Sequence, residues 1–409
     1  MTDERGPLHG RAGRVVAIAA ALALTLQWVV LRLLGVHFAP HWEAALAGTG
    51  IFGAAFLLSW AAEVAQLDVP QALALAFLAL VAVLPEYAVD IYFAWEAGKD
   101  PVYTAYATAN MTGANRLLIG LGWSSIVVAV WLRTRARSIA LGRDRRVEIY
   151  FLLLATGYSF VLPFKHTLSV WDAAVLLALF VGYAVAAARA QMIEPELEGP
   201  AELLASLPVA SRRLVTVALF VVAGGAILLA AEPFAEGLLA TGRTFGIEEF
   251  LLVQWLAPLA SESPEFIVAI LFALRGNASA AMGTLVASKV NQWTLLIGML
   301  PLAYGVSAGQ FASPMHLDAR QSEEILLTAA QSLFAVVLLA DFRFSLWDGL
   351  VIAALFATQV PLTDPIFRHY YSVLYLVLAV GLLITRPGLR RELWRLVRTG
   401  PFRSPRAPL

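Results

Sequence analysis

The sequence predicts an all-α integral membrane protein with about twelve spanning helices and an inverted internal repeat. Three observations lead there. Of its 409 residues, 60% are hydrophobic and only 14% charged, with a mean hydropathy of +0.74, well beyond the apolar share of soluble domains. Apolar runs long enough to cross a hydrocarbon core of about 30 Å recur along almost the whole chain, separated by short polar turns. Two segments far apart in the chain also match in register around a glutamate set in apolar sequence.

Taken in order, the first run, Val15 to Val36, follows Arg11 and Arg14. It is longer than a signal-peptide core and lacks a small-residue cleavage site, so it reads as a span. Further spans are expected over residues 42–65, 70–97, 101–132, 147–165 and 170–190. The acidic, proline-bearing stretch from Glu194 to Pro208 reads as a central linker. Beyond it come spans at 214–240, 247–275, 278–304, 322–341, 346–363 and 368–386. Orientation follows from the arginines, because cytoplasmic loops retain positive charge. With the N-terminus inside, Arg133, Arg135, Arg137, Arg143, Arg145 and Arg146 fall inside, as do Arg212, Arg213 and the tail from Arg386 to Arg406. Both termini are therefore expected in the cytoplasm. The absent processing signal and this bias suit a prokaryotic plasma membrane.

Formal net charge is zero and cysteine is absent. Nothing global calls for nucleic acid, and disulfide or thiolate chemistry is excluded. No His-Glu-x-x-His, phosphate-binding Gly-Lys loop or Gly-x-Ser-x-Gly element occurs, so nucleotide hydrolysis within this chain has no support. After the last span, Arg390, Arg391, Arg395 and Arg398 alternate with Leu393, Trp394 and Val397. That pattern reads as a topology anchor or as an amphipathic helix on an anionic leaflet.

The repeat aligns Pro85-Glu86-Tyr87-Ala88-Val89-Asp90-Ile91-Tyr92-Phe93-Ala94 with Pro264-Glu265-Phe266-Ile267-Val268-Ala269-Ile270-Leu271-Phe272-Ala273. About thirty residues later, Leu117-Leu118-Ile119-Gly120 matches Leu295-Leu296-Ile297-Gly298. By span count Glu86 lies in a helix running inside to outside and Glu265 in one running the other way. Inverted repeats place related, interrupted helices about an axis in the membrane plane, with an ion site near the midplane.

A carboxylate inside a span costs about 2.5–3.5 kcal/mol or more, so two matched ones require partners or water. Each glutamate follows a proline that lacks an amide hydrogen, which would free the carbonyls of Val81 and Ala260 one turn earlier. Such hard oxygens suit sodium, calcium or protons. Asp90 shares a helical face with Glu86, and Glu262 one with Glu265. Ser261, Ser263, Asn110, Asn115, Ser288 and Asn291 offer neutral oxygens, while Arg116 and Lys289 stand at membrane depth as charge-tuning cations. If all six charged groups share one cavity, four acids and two bases leave about two negative charges, enough for one divalent or two monovalent ions. Structural roles compete with these: buried bases that merely neutralise acids, and small polar residues that glue helices together.

These motifs resemble the calcium/cation antiporter superfamily, of the sodium/calcium exchanger type. Its two inverted repeats each carry a Gly-Thr-Ser-x-Pro-Glu helix and a Gly-Asn-x-x-Gly-Ser-Asn helix. Ala260-Ser261-Glu262-Ser263-Pro264-Glu265 and Gly283-Thr284-Leu285-Val286-Ala287-Ser288-Lys289 look like these motifs. In the first half only Leu84-Pro85-Glu86 survives, after Ala82 and Val83, followed by a degenerate Ala109-Asn110-Met111-Thr112-Gly113-Ala114-Asn115. The resemblance implies a ten-helix exchanger core, two inverted five-helix repeats at 42–190 and 214–363. They would be joined by a cytoplasmic linker at 191–213 and flanked by one extra transmembrane helix at each end, within 1–41 and 364–409. It further implies that Glu86 and Glu265 are central cation (metal) ligands and that Ser261 and Ser288 are hydroxyl ligands.

The expected function is secondary antiport of calcium or a related cation against sodium or protons by alternating access. Alternatives are a sodium/proton exchanger, to which Lys289 lends weight, and a non-transporting degenerate relative. An intramembrane acid–base enzyme would need a reacting group that the sequence does not show. The partners expected are inorganic cations and the lipid bilayer, with no cofactor and no obligatory protein partner.

Overall fold

The computed structural model describes residues 10–68, 84–142, 145–189, 197 and 199–402. The start of the third expected span, with Val81, Ala82 and Val83, lies outside the described residues, as do Glu194 to Glu196 of the linker, Arg143 and Arg406.

The chain is mostly helical. Its helices are α1 (Arg11–Leu33), α2 (Pro40–Ala65), α3 (Leu84–Ala97), α4 (Tyr103–Thr134), α5 (Arg146–Lys165), α6 (Val170–Arg189) and α7 (Pro200–Ala205). The second half contributes α8 (Val209–Phe245), α9 (Glu249–Arg275), α10 (residues 278–307), α11 (Ala319–Leu338), α12 (Leu346–Gln359), α13 (Pro365–Thr385) and α14 (Pro387–Thr399). Among the described residues, eight helices are long and apolar enough to cross a membrane. Four short strands sit between them among the described residues: β1 (Ser138–Ala140), β2 (Thr167–Leu168), β3 (Met315–His316) and β4 (Arg343–Ser345).

Two compact units share the chain. The first takes Met1–Tyr92 and Met192–Pro264. Here α2 and α8 pack along one another, and α1 lies against both. Close approach is possible because small residues line the seam: a Cβ on Gly237 would meet the Ala44 backbone nitrogen at 2.9 Å. At about 1.5 Å per residue, the 37 residues of α8 extend some 55 Å, well past the hydrocarbon thickness. Its N-terminal end is tied down where Arg212 forks onto Asp68, with Nε to Oδ2 and Nη2 to Oδ1 both at 2.9 Å, and Arg213 adds a third contact at 3.0 Å. The hydrogen bonds from Arg212 hold the Asp68 carboxyl down at about 2, against the opposing effect of burial.

The second unit takes Phe93–Gln191 and Glu265–Leu409. In it α11 packs against α4, α5 and α13, while α12 lies on α4 and α6 on α10. Helices α4 and α10 each contain a π turn, at Leu118–Trp123 and Gln292–Leu296. Both fall at the repeated Leu-Leu-Ile-Gly motif. Gly120, at the first, lets α12 come close, since a Cβ there would meet the Phe356 ring at 2.2 Å. Strands from different halves pair antiparallel: β1 with β4, placing Ser138 opposite Ser345, and β2 with β3, placing Thr167 opposite His316.

The chain crosses from one unit to the other inside α3, at Tyr92/Phe93, and inside α9, at Pro264/Glu265. Sequence reading expects α9 to be weakened where Pro264 frees a carbonyl. The helix instead runs on through Pro258 and Pro264. One missing donor per proline is tolerated within a packed helix; the Ser261 and Ser263 hydroxyls donate to Ala257, Pro258 and Leu259 on the same helix, not to the Gln254 and Ala260 carbonyls that lose their amide donors.

Candidate functional site

In the first unit α3 and α9 bring three carboxylates into apolar surroundings. Glu86 is 3% exposed, Asp90 is wholly buried, and Glu262 is 1% exposed. Glu86 and Asp90 stand one turn apart on α3, whereas Glu262 comes from the second half of the chain. All three act electrostatically on Tyr87, which is itself buried. Acids from both halves therefore share one neighbourhood within this unit. Three ionised carboxylates at such depth repel one another, so cations or protons must neutralise them. Two residues past Asp90, the Tyr92 hydroxyl donates to Glu236 Oε1 at 2.9 Å, joining α3 to α8. Ser261 is buried beside Glu262, and its hydroxyl donates to Ala257 O at 3.2 Å and Pro258 O at 3.3 Å.

In the second unit Glu265 is half-buried on α9. Asn110 and Asn115 on α4, and Ser288, Lys289 and Asn291 on α10, are all buried. Lys289 is the hinge of this group: its ammonium donates to Asn115 Oδ1 at 2.6 Å and to Asn115 O at 3.2 Å, and lies 4.3 Å from the Trp293 ring centroid. The Trp293 face, one turn on, favours a cation there. Lys289 thus links the corresponding helices of the two halves.

Arg116, next to Asn115, faces another way. It meets Glu324 of α11 at 2.5 Å, and Glu324 in turn meets Arg368 of α13 at 3.0 Å. Gln331 Nε2 donates to the Arg116 carbonyl at 3.4 Å, and Arg368 Nη1 donates to Gln359 O at 2.9 Å. All three charged groups of this chain of contacts are buried. Glu324 and Arg368 are missed by the sequence reading. The signal was there: an ionisable residue inside or bordering an apolar run needs a named partner, and each stands in the first turns of such a run. Among the described residues no cluster of three or more acidic or histidine side chains forms a metal cage.

The profile of the sodium/calcium exchanger protein family matches residues 42–189 and 215–362, which is more than half of the chain and lies in both halves. The chain belongs to that family. Among solved structures, this exchanger is similar to the H+/Ca2+ exchanger CAX, at 46% identity and a TM-score of 0.90, over 94% of this chain and 97% of that one. Native YfkE matches at 17% identity and a TM-score of 0.59, over 85% and 98%. The sodium-calcium exchanger NCX_Mj matches at 17% identity and a TM-score of 0.52, over 77% and 96%. At such identity these last two share the fold alone. No curated protein matches the chain in sequence.

Proposed function

We propose that this exchanger is a secondary antiporter that moves calcium, or a cation of similar chemistry, against protons by alternating access. One observation carries the reading: Glu86 and Asp90 from one half and Glu262 from the other are buried and close enough to Tyr87 to act on it electrostatically. Such a group of acids takes up either a divalent cation or protons, which is the exchange itself. The likeness to an H+/Ca2+ exchanger at 46% identity supports protons as the counter-ion, ahead of sodium.

Glu86 and Glu265, the acids of the two matched Pro-Glu motifs, are assigned as the principal cation ligands. Asp90, Glu262, Ser261, Ser288, Asn110 and Asn291 are assigned as supporting oxygens and Lys289 as a fixed charge that tunes them, whereas the pairing of Arg116 with Glu324 supports a structural role for that residue. The Lys289 contact with Asn115 and Trp293 supports a permanent cation there, lowering the number of mobile positive charges carried.

The ten-helix arrangement with one extra helix at each end belongs to the same proposal, and the strand register supports it. From Leu117 to Leu295 the repeat spacing is 178 residues. The same shift carries Ser138 to His316 and Thr167 to Ser345, so exchanging the halves turns the pair Ser138–Ser345 into the pair His316–Thr167. A twofold relation does this. The end helices α1 and α13 are among the least buried of the candidate spans, as peripheral additions are.

The test is flux in proteoliposomes. An imposed calcium gradient is expected to drive proton movement in the opposite direction, read with a trapped pH dye. Glu86→Gln and Glu265→Gln should each reduce it at least tenfold. Undiminished flux in either variant, or calcium movement without proton movement, would overturn the assignment.

A further inference from the structure

Helix α14 begins two residues after the candidate span α13 ends, so it starts at the level of the membrane surface. It is fixed in place. Leu389 and Leu396 are buried, at 4% and 1% exposure. From α5, Arg146 donates to Gly400 O at 3.0 Å, Arg395 O at 3.4 Å and Thr399 Oγ1 at 2.5 Å, so a guanidinium caps the carbonyl end of the helix.

On its open side, Arg391, Arg395 and Arg398 follow at i, i+4 and i+7 and form one row. With Trp394 and Thr399, all on this one helix, they line an open, shallow groove of about 510 Å³. A second groove, of about 390 Å³, continues beside Arg386, Arg391 and Arg395. Two acids border the arginines here, Glu392, which meets Arg395 at 2.5 Å, and Asp341, which lines the second groove, so four arginines face two carboxylates. Trp394, 63% exposed, together with Val397 and Phe402, gives the row an apolar edge.

We propose that this groove binds the phosphate head group of an anionic phospholipid, with the acyl chains against the Trp394 edge. Guanidinium forks match phosphate oxygens. The tryptophan at the polar boundary is the residue that settles at head-group depth. A soluble acidic peptide would use the arginines and leave the apolar edge in water, so a lipid is the occupant that satisfies both.

The full-length protein, purified in detergent, is mixed with equal amounts of phosphatidylglycerol and phosphatidylcholine, and retained lipid is counted by native mass spectrometry. Wild type is expected to retain phosphatidylglycerol preferentially. Arg391→Gln/Arg395→Gln/Arg398→Gln should lose that preference about tenfold, while Arg133→Gln/Arg135→Gln/Arg137→Gln, with the same change of charge elsewhere, should keep it. Trp394→Ala should weaken it about threefold. If the triple variant does not fold, Arg398→Gln alone carries the test with the same sign. The proposal is overturned by equal retention of the two lipids in wild type, by equal losses in the two triple variants, or by displacement of the lipid with inorganic phosphate. Because the readout is bound lipid, its outcome is separate from that of the transport experiment.

Discussion

Single residues fix the joints of this molecule, and two can be tested directly. Asp68 ionises near 2 because Arg212 and Arg213 clasp it, whereas in an unfolded chain it would do so near 4. A lowered carboxyl stabilises the fold above its unfolded value, and that contribution is lost as pH falls through the folded one. Asp68→Asn is therefore expected to cost about 1 kcal/mol at neutral pH, the upper end for a solvent-facing pair. In unfolding titrations the difference from wild type should shrink below about pH 4 and vanish near pH 2. Gly120→Ala tests the close approach of α4 to α12: with Phe356 carbons as near as 2.2 Å, overpacking should cost about 1–3 kcal/mol. Its repeat counterpart, Gly298→Ala, meets Leu177 only at 3.3 Å and should cost clearly less, measured by thermal unfolding in detergent.

Among the elements, α13 is held to the core by charge. Glu324 lies between Arg116 and Arg368 with all three buried, so Glu324→Gln leaves two guanidiniums without their shared carboxylate. A loss of about 3–5 kcal/mol is expected in detergent unfolding. Replacing all three by apolar residues of similar volume should cost much less, because the desolvation penalty disappears with the charges. The helices themselves were legible in sequence because hydropathy is a sum over many residues: α5, expected at 147–165, is found at Arg146–Lys165. The burial of Glu86, Asp90 and Glu262 was legible too, from acids set in apolar runs. Their neighbour Tyr87 was not, since a tyrosine in a span is unremarkable. Nor was the Arg116–Glu324–Arg368 contact, whose members stand far apart in the chain with no period linking them. The π turns escaped for another reason: Leu-Ile-Gly-Leu-Gly-Trp has the same composition whether its helix turns by 3.6 residues or more.

For the molecule as a whole, the two halves match in sequence and in strand register, and each carries a π turn that overlaps the repeated Leu-Leu-Ile-Gly motif. Strands of two or three residues lie below any detectable period, so their pairing could not be read in advance. It can be checked cleanly because the chain has no cysteine. Ser138→Cys/Ser345→Cys and Thr167→Cys/His316→Cys should each form a disulfide on oxidation, since antiparallel partners lie about 4.5–5.5 Å apart between Cα atoms. Both pairs lie within the second unit, so flux should survive either cross-link; failure of the second pair to form would contradict the shared register.

The crossed strand pairs also bear on biogenesis. Ser138 emerges from the ribosome roughly two hundred residues before Ser345, its partner, so the first half must enter the bilayer with open backbone edges and hold them open until synthesis is nearly complete. Such edges invite any matching strand at hand.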